Sequence, residues 1–325
     1  MNNVSISIDI YAKKAFAMFS PSDGDLASAT VFPMDIPAPF TAPGYINYTG
    51  VFTKVFNEML LVNDISEANI RLAAPTEAIA IDYISVPNIG GKKNDENLFT
   101  EAKKLFPSIT KPAQINLNVI KTTKNQVISV YSLCNPDDLK SINRHLINTN
   151  HNLSFYTDNA IATASLFAQF TGNGGFQISS GVLGKDNAFM GIDISNHKTE
   201  CFIYSGSSVL AQYCIPFGTE LFSAFSPRDF LNPRMHAEIE SHIFKWQFPL
   251  FSFISRCKDL NLPAPKKAYV RVKDYDGIVN LLSRDSDMDF VILQLPKEYE
   301  LYENNLALLA LFLNKVDKQY NYIRS

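Results

Sequence analysis

Glycine is scarce in this sequence: 14 of 325 residues, about 4% where globular chains usually carry roughly 7%. Few positions can therefore take a left-handed turn or bring bare backbone up against a ligand, because a Cβ forbids both. Cysteine is rarer still. Cys134, Cys201, Cys214 and Cys257 stand alone, with no Cys-x-x-Cys pair and no His at ligand spacing. This excludes a zinc ribbon or dithiol motif and predicts buried free thiols. Neither sign of charge dominates: 29 basic against 32 acidic residues give a net charge of -3. With no Lys/Arg block to neutralise a phosphate backbone, nucleic acid is excluded as a main partner. Long apolar runs are missing too. The longest, Leu306–Leu313 (LALLALFL), falls well short of the roughly 20 residues a membrane-spanning helix needs. The opening MNNVSISIDIYAKK alternates apolar and polar positions without a basic start, so it predicts a strand and not a signal peptide, and a cytoplasmic chain.

What is present is core-forming material. Hydrophobic residues make up 46% and aromatic residues 12% of the chain, which excludes disorder. The length predicts about two lobes.

Val4–Ile10 (VSISIDI) and Phe16–Phe19 read as a β-hairpin. Pro33–Gly50, with four prolines and two glycines, predicts an extended surface connection. Val51, Val55, Met59 and Val62 fall at helical spacing. Asn69–Ala74 and Ala78–Val86 follow as strands, and Asp95–Phe106 as an amphipathic helix that Pro107 stops. Gln114–Ile120 and Asn125–Cys134 form a second hairpin, and Asn135-Pro136-Asp137-Asp138 starts a helix. Asn152–Thr157 is a strand and Ala160–Phe170 a buried helix. Gly172–Gly184 holds five glycines and marks the boundary between halves. The second half runs through strands at Phe189–Ile194, Thr199–Tyr204 and Val209–Ile215. A long helical segment at Met235–Ile254, interrupted by Pro249, comes next. A strand at Ala268–Val272, a helix at Gly277–Ser283, a strand at Phe290–Leu295 and a closing helix at Asn305–Asn314 complete it.

The informative feature is an internal echo: ISIDIYAKKAFAMFS at Ile6–Ser20 against MGIDISNHKTECFIY at Met190–Tyr204. Each copy runs apolar strand, Ile-Asp-Ile, short polar turn, apolar strand. One such unit per half resembles the layout of the actin, Hsp70 and sugar-kinase superfamily. The order of the remaining elements narrows the likeness. Val51–Leu61, Arg71–Pro75, Ala78–Pro87, Asp95–Pro107, Ser132–Lys140 (SLCNPDDLK), Phe155–Asp158 (FYTD) and Pro216-Phe217-Gly218-Thr219-Glu220-Leu221 resemble, in sequence, the segments of the PilM-like proteins of type IV pilus assembly. These include the MshI group and the actin-like cytoplasmic region of GspL. The chain is similar, more distantly, to FtsA.

The resemblance implies an α/β, actin-like (ribonuclease H-like) fold of two lobes. Residues 1–184 would form the first lobe, with an inserted subdomain at about 67–148, and 185–325 the second. It places vestigial phosphate hairpins at Asp9, Lys13, Asp193, Ser195 and Gly218. Asp9 and Asp193 would be Mg²⁺ ligands only if Mg-ATP is bound. The alternative reading of each Asp is a carboxylate that caps its own hairpin turn.

The pattern departs from an active member where chemistry is most demanding. Tyr11 replaces the first-hairpin glycine that lets backbone N–H groups approach phosphate. Ser195-Asn196-His197 replaces a small-residue turn, and Val272-Lys273-Asp274-Tyr275-Asp276-Gly277 keeps one glycine of the nucleoside-binding segment. His197 reads as a solvated turn residue. The Phe244–Phe253 stretch with Trp246 reads as core, with an apolar peptide groove as its alternative. No catalytic residues are proposed and no Ser-His-Asp, Cys-His or Walker arrangement fits. A sugar kinase would need a base and a sugar loop that no segment supplies.

The resemblance then implies a scaffold of a pilus or type II secretion platform with lost or weak ATP binding, needing no cofactor. It would be held beneath the inner membrane by a partner. Its expected partners are the cytoplasmic tail of a bitopic inner-membrane protein, received at about Arg71–Phe106, and an assembly ATPase; self-association is also admitted. The alternative is an active actin-like ATPase, as in FtsA.

Overall fold

The computed structural model describes residues 2–21, 24–36, 48–107, 115–134, 136–171, 188–205, 208–259, 265–284, 286–302 and 304–323. Its first strands are β1 (Asn2–Asp9), β2 (Lys14–Phe19), β3 (Thr30–Asp35), β4 (Ala68–Ala74), β5 (Ile79–Pro87), β6 (Ile115–Thr122), β7 (Gln126–Cys134) and β8 (Asn152–Asp158). The second half carries β9 (Phe189–Ile194), β10 (Thr199–Ser205), β11 (Ser208–Ile215), β12 (Lys267–Val272) and β13 (Asp289–Ile292). The α-helices are α1 (Tyr48–Lys54), α2 (Lys92–Leu105), α3 (Pro136–Leu146), α4 (Asn159–Phe170), α5 (His236–Asp259), α6 (Ile278–Leu282) and α7 (Leu306–Phe312).

The two halves build the same sheet. One has the order β3-β2-β1-β4-β8 and the other β11-β10-β9-β12-β13. In each, three antiparallel strands lead into two parallel ones. The echoed segments are the first hairpin of each sheet, so the Ile-Asp-Ile repeat marks a repeat of topology. Val4, Ile6 and Ile8 are buried on one face of β1, and Ser5 and Ser7 are buried on the other, as a central strand covered on both sides requires.

Pro33 lies in β3 opposite Phe16, where a surface connection was expected. β3 is the outer strand of its sheet, and an edge strand tolerates a residue without a ladder donor. Residues 37–47 and the glycine-rich boundary at 172–187 lie outside the described residues. The helix expected over Val51–Val62 begins as α1 and continues as a π-helical turn at Val55–Leu60. α5 runs unbroken through Pro249.

A third sheet, β5-β7-β6, is inserted between β4 and β8 with α2 against it, around Ile84, Val86, Leu98, Ala102 and Leu133, and it packs on the second lobe: Val130 joins the core of the second sheet and the Tyr83 hydroxyl donates to the Leu210 carbonyl at 2.6 Å. It is narrower than the stretch 67–148. β4 belongs to the first five-stranded sheet, and α3 packs on α1 and β8.

α4 is buried from Asn159 to Ala168, the signature of a helix enclosed on all sides. It packs on β4, β8 and α7 and also on β9, β10 and β11, so it is shared by both sheets. The edge-to-face pair Phe167–Phe202, with centroids 5.2 Å apart, joins them. α7 lies late in the sequence, yet it packs on β1, β2, β4 and α4 of the first sheet. The chain after it forms a strap. Asn116 Nδ2 donates to the Gln319 carbonyl at 3.3 Å, Val209 N–H to the Tyr320 hydroxyl at 2.5 Å, Tyr322 N–H to the Tyr156 carbonyl at 3.0 Å and the Tyr322 hydroxyl to Ser132 at 2.6 Å. The strap thereby ties the third sheet, the second sheet and the first together.

Candidate functional site

The two echoed hairpins meet between the lobes. β1 ends at Asp9, whose carboxylate accepts the N–H groups of Tyr11 at 3.0 Å and Ala12 at 2.9 Å. This Asx cap ties the turn to the strand end. Lys13, exposed at the turn, has φ 55°, a left-handed conformation that non-glycine residues seldom adopt. Its carbonyl accepts the N–H of Ile36 at 2.9 Å.

β9 ends at Asp193, and Arg271 of the parallel neighbour β12 stands directly opposite it. The guanidinium clasps the Asp193 carboxylate, and both side chains are buried. Burial pushes that carboxyl up to about 6, against the pull of Arg271. Arg271 Nη1 has no hydrogen-bond partner among the described residues.

After the second turn, Lys198 Nζ donates to Glu200 Oε1 at 2.7 Å, with side chains only 11% and 3% exposed. Burial works against the Lys198 charge, but the Glu200 carboxylate, helped by Asp9 of the opposite hairpin, raises the ammonium above its ordinary range. Glu200 also reaches across the cleft: the Thr76 hydroxyl donates to Oε1 at 2.9 Å and the Thr163 hydroxyl to Oε2 at 3.4 Å. Beside it, Gln212 Nε2 donates to Asp158 Oδ2 at 2.6 Å and to the carbonyls of Thr76 and Ile79 at 3.1 Å each. Asp158 meanwhile caps α4 through the Ile161 N–H at 2.8 Å. Two side chains of the second sheet, Glu200 and Gln212, thus bond to the first lobe at the cleft floor.

The tip of the second hairpin is fastened from the other side. Ser195 turns its hydroxyl onto the Lys198 carbonyl at 3.0 Å. The carbonyls of Ser195 and Asn196 accept the N–H groups of Thr219 at 2.8 Å and Glu220 at 3.1 Å. A Cβ on Gly218 would come within 2.1 Å of the Ser195 carbonyl oxygen, so glycine is required there for backbone to lie on backbone. His197 Nδ1 and Glu220 Oε2 close the latch at 2.7 Å.

The segment resembling the nucleoside-binding strand end is packed with rings. Tyr275 stands edge-on to Phe230 at 5.2 Å and to Phe222 at 5.5 Å. A Cβ at Gly277 would meet the Phe230 backbone at 2.8 Å. An open cavity of about 610 Å³ lies beyond the ends of β12 and β13, lined among others by Arg271, Lys273, Asp274, Asp276 and Glu300. Among the described residues no three His, Cys, Asp or Glu side chains group as a metal site.

Of the residues singled out in the sequence, Asp9, Asp193, Ser195 and Gly218 come together with Lys198 at the two hairpins, while Lys13 sits exposed at the first turn. His197, read as solvated, is half exposed and paired with Glu220. Trp246 is core, its Nε1 donating to the Thr199 hydroxyl at 2.8 Å. All four cysteines are buried thiols. Sequence reading missed Arg271, Lys198, Glu200 and Gln212. For Arg271 and Glu200 the available signal was a charge inside the apolar strands AYVRV and TECFIY; Lys198 at its turn and the uncharged Gln212 gave none.

Twin sheets of one topology, a shared buried helix and two Asp-ended hairpins facing each other define an actin-like fold. No protein-family model matches the sequence, and no curated protein matches it. Among solved structures the chain is similar to PilM in the PilM–PilN type IV pilus biogenesis complex, with a TM-score of 0.60, 16% identity, and 98% of this chain and 99% of that one covered. The cytoplasmic domain of EpsL, an inner membrane component of the type II secretion system of Vibrio cholerae, matches at TM-score 0.40 and 7% identity, covering 100% and 99%. MreB5 of Spiroplasma citri bound to ADP matches at 0.44 and 9%, covering 98% and 96%. Among the described residues no helix is long and apolar enough to cross a membrane.

Proposed function

We propose that this chain is an actin-like scaffold of a type IV pilus or type II secretion assembly platform, held at the inner membrane by a partner's cytoplasmic tail and working without ATP hydrolysis. One observation carries the reading: the cleft neutralises its own acids, Asp193 through Arg271 and Glu200 through Lys198. A magnesium ion would have to displace a buried guanidinium from Asp193, leaving Arg271 as a buried charge without its carboxylate, which is strongly disfavoured. The N–H groups of Thr219 and Glu220, at a turn where a phosphate would be met, already donate to the hairpin carbonyls. The neighbouring cavity presents three acidic side chains against two basic ones, the wrong balance for a triphosphate. Mg-ATP therefore does not fit this cleft.

The likeness to PilM in a complex with PilN supports a peptide-receiving role. The expected stretch, Arg71–Phe106, contains β5, an outer strand of the third sheet and a suitable edge for an added extended segment. Ile89, 54% exposed, lies just beyond it.

Two measurements test the proposal. Thermal unfolding with millimolar Mg-ATP should show no shift, whereas a ligand at about 100 times its Kd would add about 2.7 kcal/mol. A dose-dependent shift that Asp9→Ala removes would instead support the active ATPase. Fluorescence anisotropy with peptides from the cytoplasmic tail of a bitopic assembly protein should show binding that Ile89→Asp weakens about tenfold, or about 1.4 kcal/mol. No binding by such peptides would overturn the scaffold reading.

A further inference from the structure

α5 carries two apolar faces. Ile239, Ile243, Trp246 and Leu250 enter the core of the second sheet. On the opposite side Ala237, Ser241, Phe244, Phe248, Phe251 and Ser255 recur at alternating spacings of four and three, the seam of a helix that packs against another helix. This stripe holds no charge. Phe244 and Phe248 are 61% and 62% exposed, their ring centroids 5.7 Å apart. They line a groove of about 540 Å³ together with Gln247, Phe251 and Ser255. Two neighbouring exposed rings on a regular seam exceed the scattered exposed apolar residues of an ordinary surface.

The charges beside the seam select what covers it. Exposed Glu238 lies at the N-terminal end, Glu240 beside it being held by Arg284 at 2.7 Å, exposed Lys245 lies near the middle, and exposed Arg256 lies toward the C-terminal end. A parallel copy would set Glu238 against its own equivalent. An antiparallel copy, crossing near Phe248, brings Glu238 beside Arg256 of its mate twice over, because a two-fold interface repeats every pair. The face is complementary to itself reversed.

We propose that a second copy of this chain docks antiparallel on this face of α5, with Phe244 and Phe248 at the centre and Glu238–Arg256 pairs at both ends. The inference is independent of the scaffold reading.

Sedimentation velocity over a concentration series tests it. The native chain should pass from monomer to dimer. Phe244→Asp with Phe248→Asp should remain monomeric, with unchanged circular dichroism and Trp246 fluorescence establishing that the fold is intact. Glu238→Arg and Arg256→Glu should each weaken association about tenfold, since two pairs turn repulsive at once, and their combination should restore it to within about threefold. A native chain monomeric up to about 1 mM would overturn the proposal. So would dimerisation untouched by the two Asp substitutions, or a combined reversal no tighter than either single one.

Discussion

Removing one member of the Lys198–Glu200 pair should cost far more than removing both. The 2.7 Å contact is buried, with side chains 11% and 3% exposed, so it is not the solvent-screened surface pair that contributes at most about 1 kcal/mol. Glu200→Gln keeps an acceptor for the Thr76 hydroxyl but leaves the Lys198 ammonium without its carboxylate. Lys198→Met leaves Glu200 as an anion held only by the Thr76 and Thr163 hydroxyls. Each orphaned buried charge costs about 3–5 kcal/mol; the Asp9 field for Lys198 and the two hydroxyls for Glu200 bring both toward the low end, about 3 kcal/mol. Lys198→Met with Glu200→Gln buries no charge and should cost about 1–2 kcal/mol, giving a coupling of about 4–5 kcal/mol, above the roughly 0.5–3 kcal/mol usual for neighbouring sites. Urea unfolding is the assay, followed by far-ultraviolet circular dichroism and by Trp246 fluorescence. Trp246 is the single tryptophan of the chain, and its Nε1 bonds to Thr199, between the two charges in sequence. Additive single losses, or single losses under about 1 kcal/mol, would refute the claim that these charges form one desolvated unit.

Gly218→Ala drives a Cβ to 2.1 Å from the Ser195 carbonyl oxygen; forcing the hairpin off the Thr219 and Glu220 N–H groups should cost about 2–3 kcal/mol in urea unfolding. Burial, then the nearby Asp137, pushes the Asp138 carboxyl up to about 6 from its ordinary 3.8. The folded state therefore holds more protons than the unfolded one between those values, and stability should fall by about 1–2 kcal/mol as pH rises from 4 to 6. Asp138→Asn should flatten that part of the pH profile. Tyr322→Phe removes the 2.6 Å bond to buried Ser132 and should cost about 1 kcal/mol, with faster amide exchange in β7.

The repeat was the most legible part of the fold because it is written in consecutive residues. A strand, an Asp and a turn occupy fifteen positions in each copy, and hydrophobic alternation finds them without knowledge of the rest. α7 could not be placed the same way. LALLALFL reports burial but not where, and only packing on α4 and β1 reveals that a segment at the end of the second half completes the first sheet. The site was half legible. Asp9 and Asp193 stand out as acids closing apolar strands, whereas Arg271, on a strand about 80 residues further on, acquires its role by register with Asp193. Lys198 was hidden by its turn. A lysine beside His197 at a hairpin tip reads as solvated until the opposite lobe is seen to bury it. Phe244 and Phe248 erred in the reverse direction, since aromatic spacing predicts core and cannot say that one helix carries two apolar faces.

The cross-lobe bonds also bear on how such a molecule would signal. Where two lobes are bridged by a dissociable ligand, the closed state weakens when the ligand leaves, and closure can follow its concentration. Here the bridging groups are Glu200, Gln212 and the strap at Tyr320 and Tyr322, all parts of the chain. Their effective concentration does not change, and opening the cleft would strip Glu200 of the Thr76 and Thr163 hydroxyls and Asp158 of the Gln212 amide. Such an opening belongs with local unfolding and not with a ligand-driven cycle. On the scaffold reading, the lobes then act as one fixed frame, and what the protein passes on is the position of a bound segment. This differs from an ATPase whose lobes cycle, and it places the regulated step at the partner's arrival.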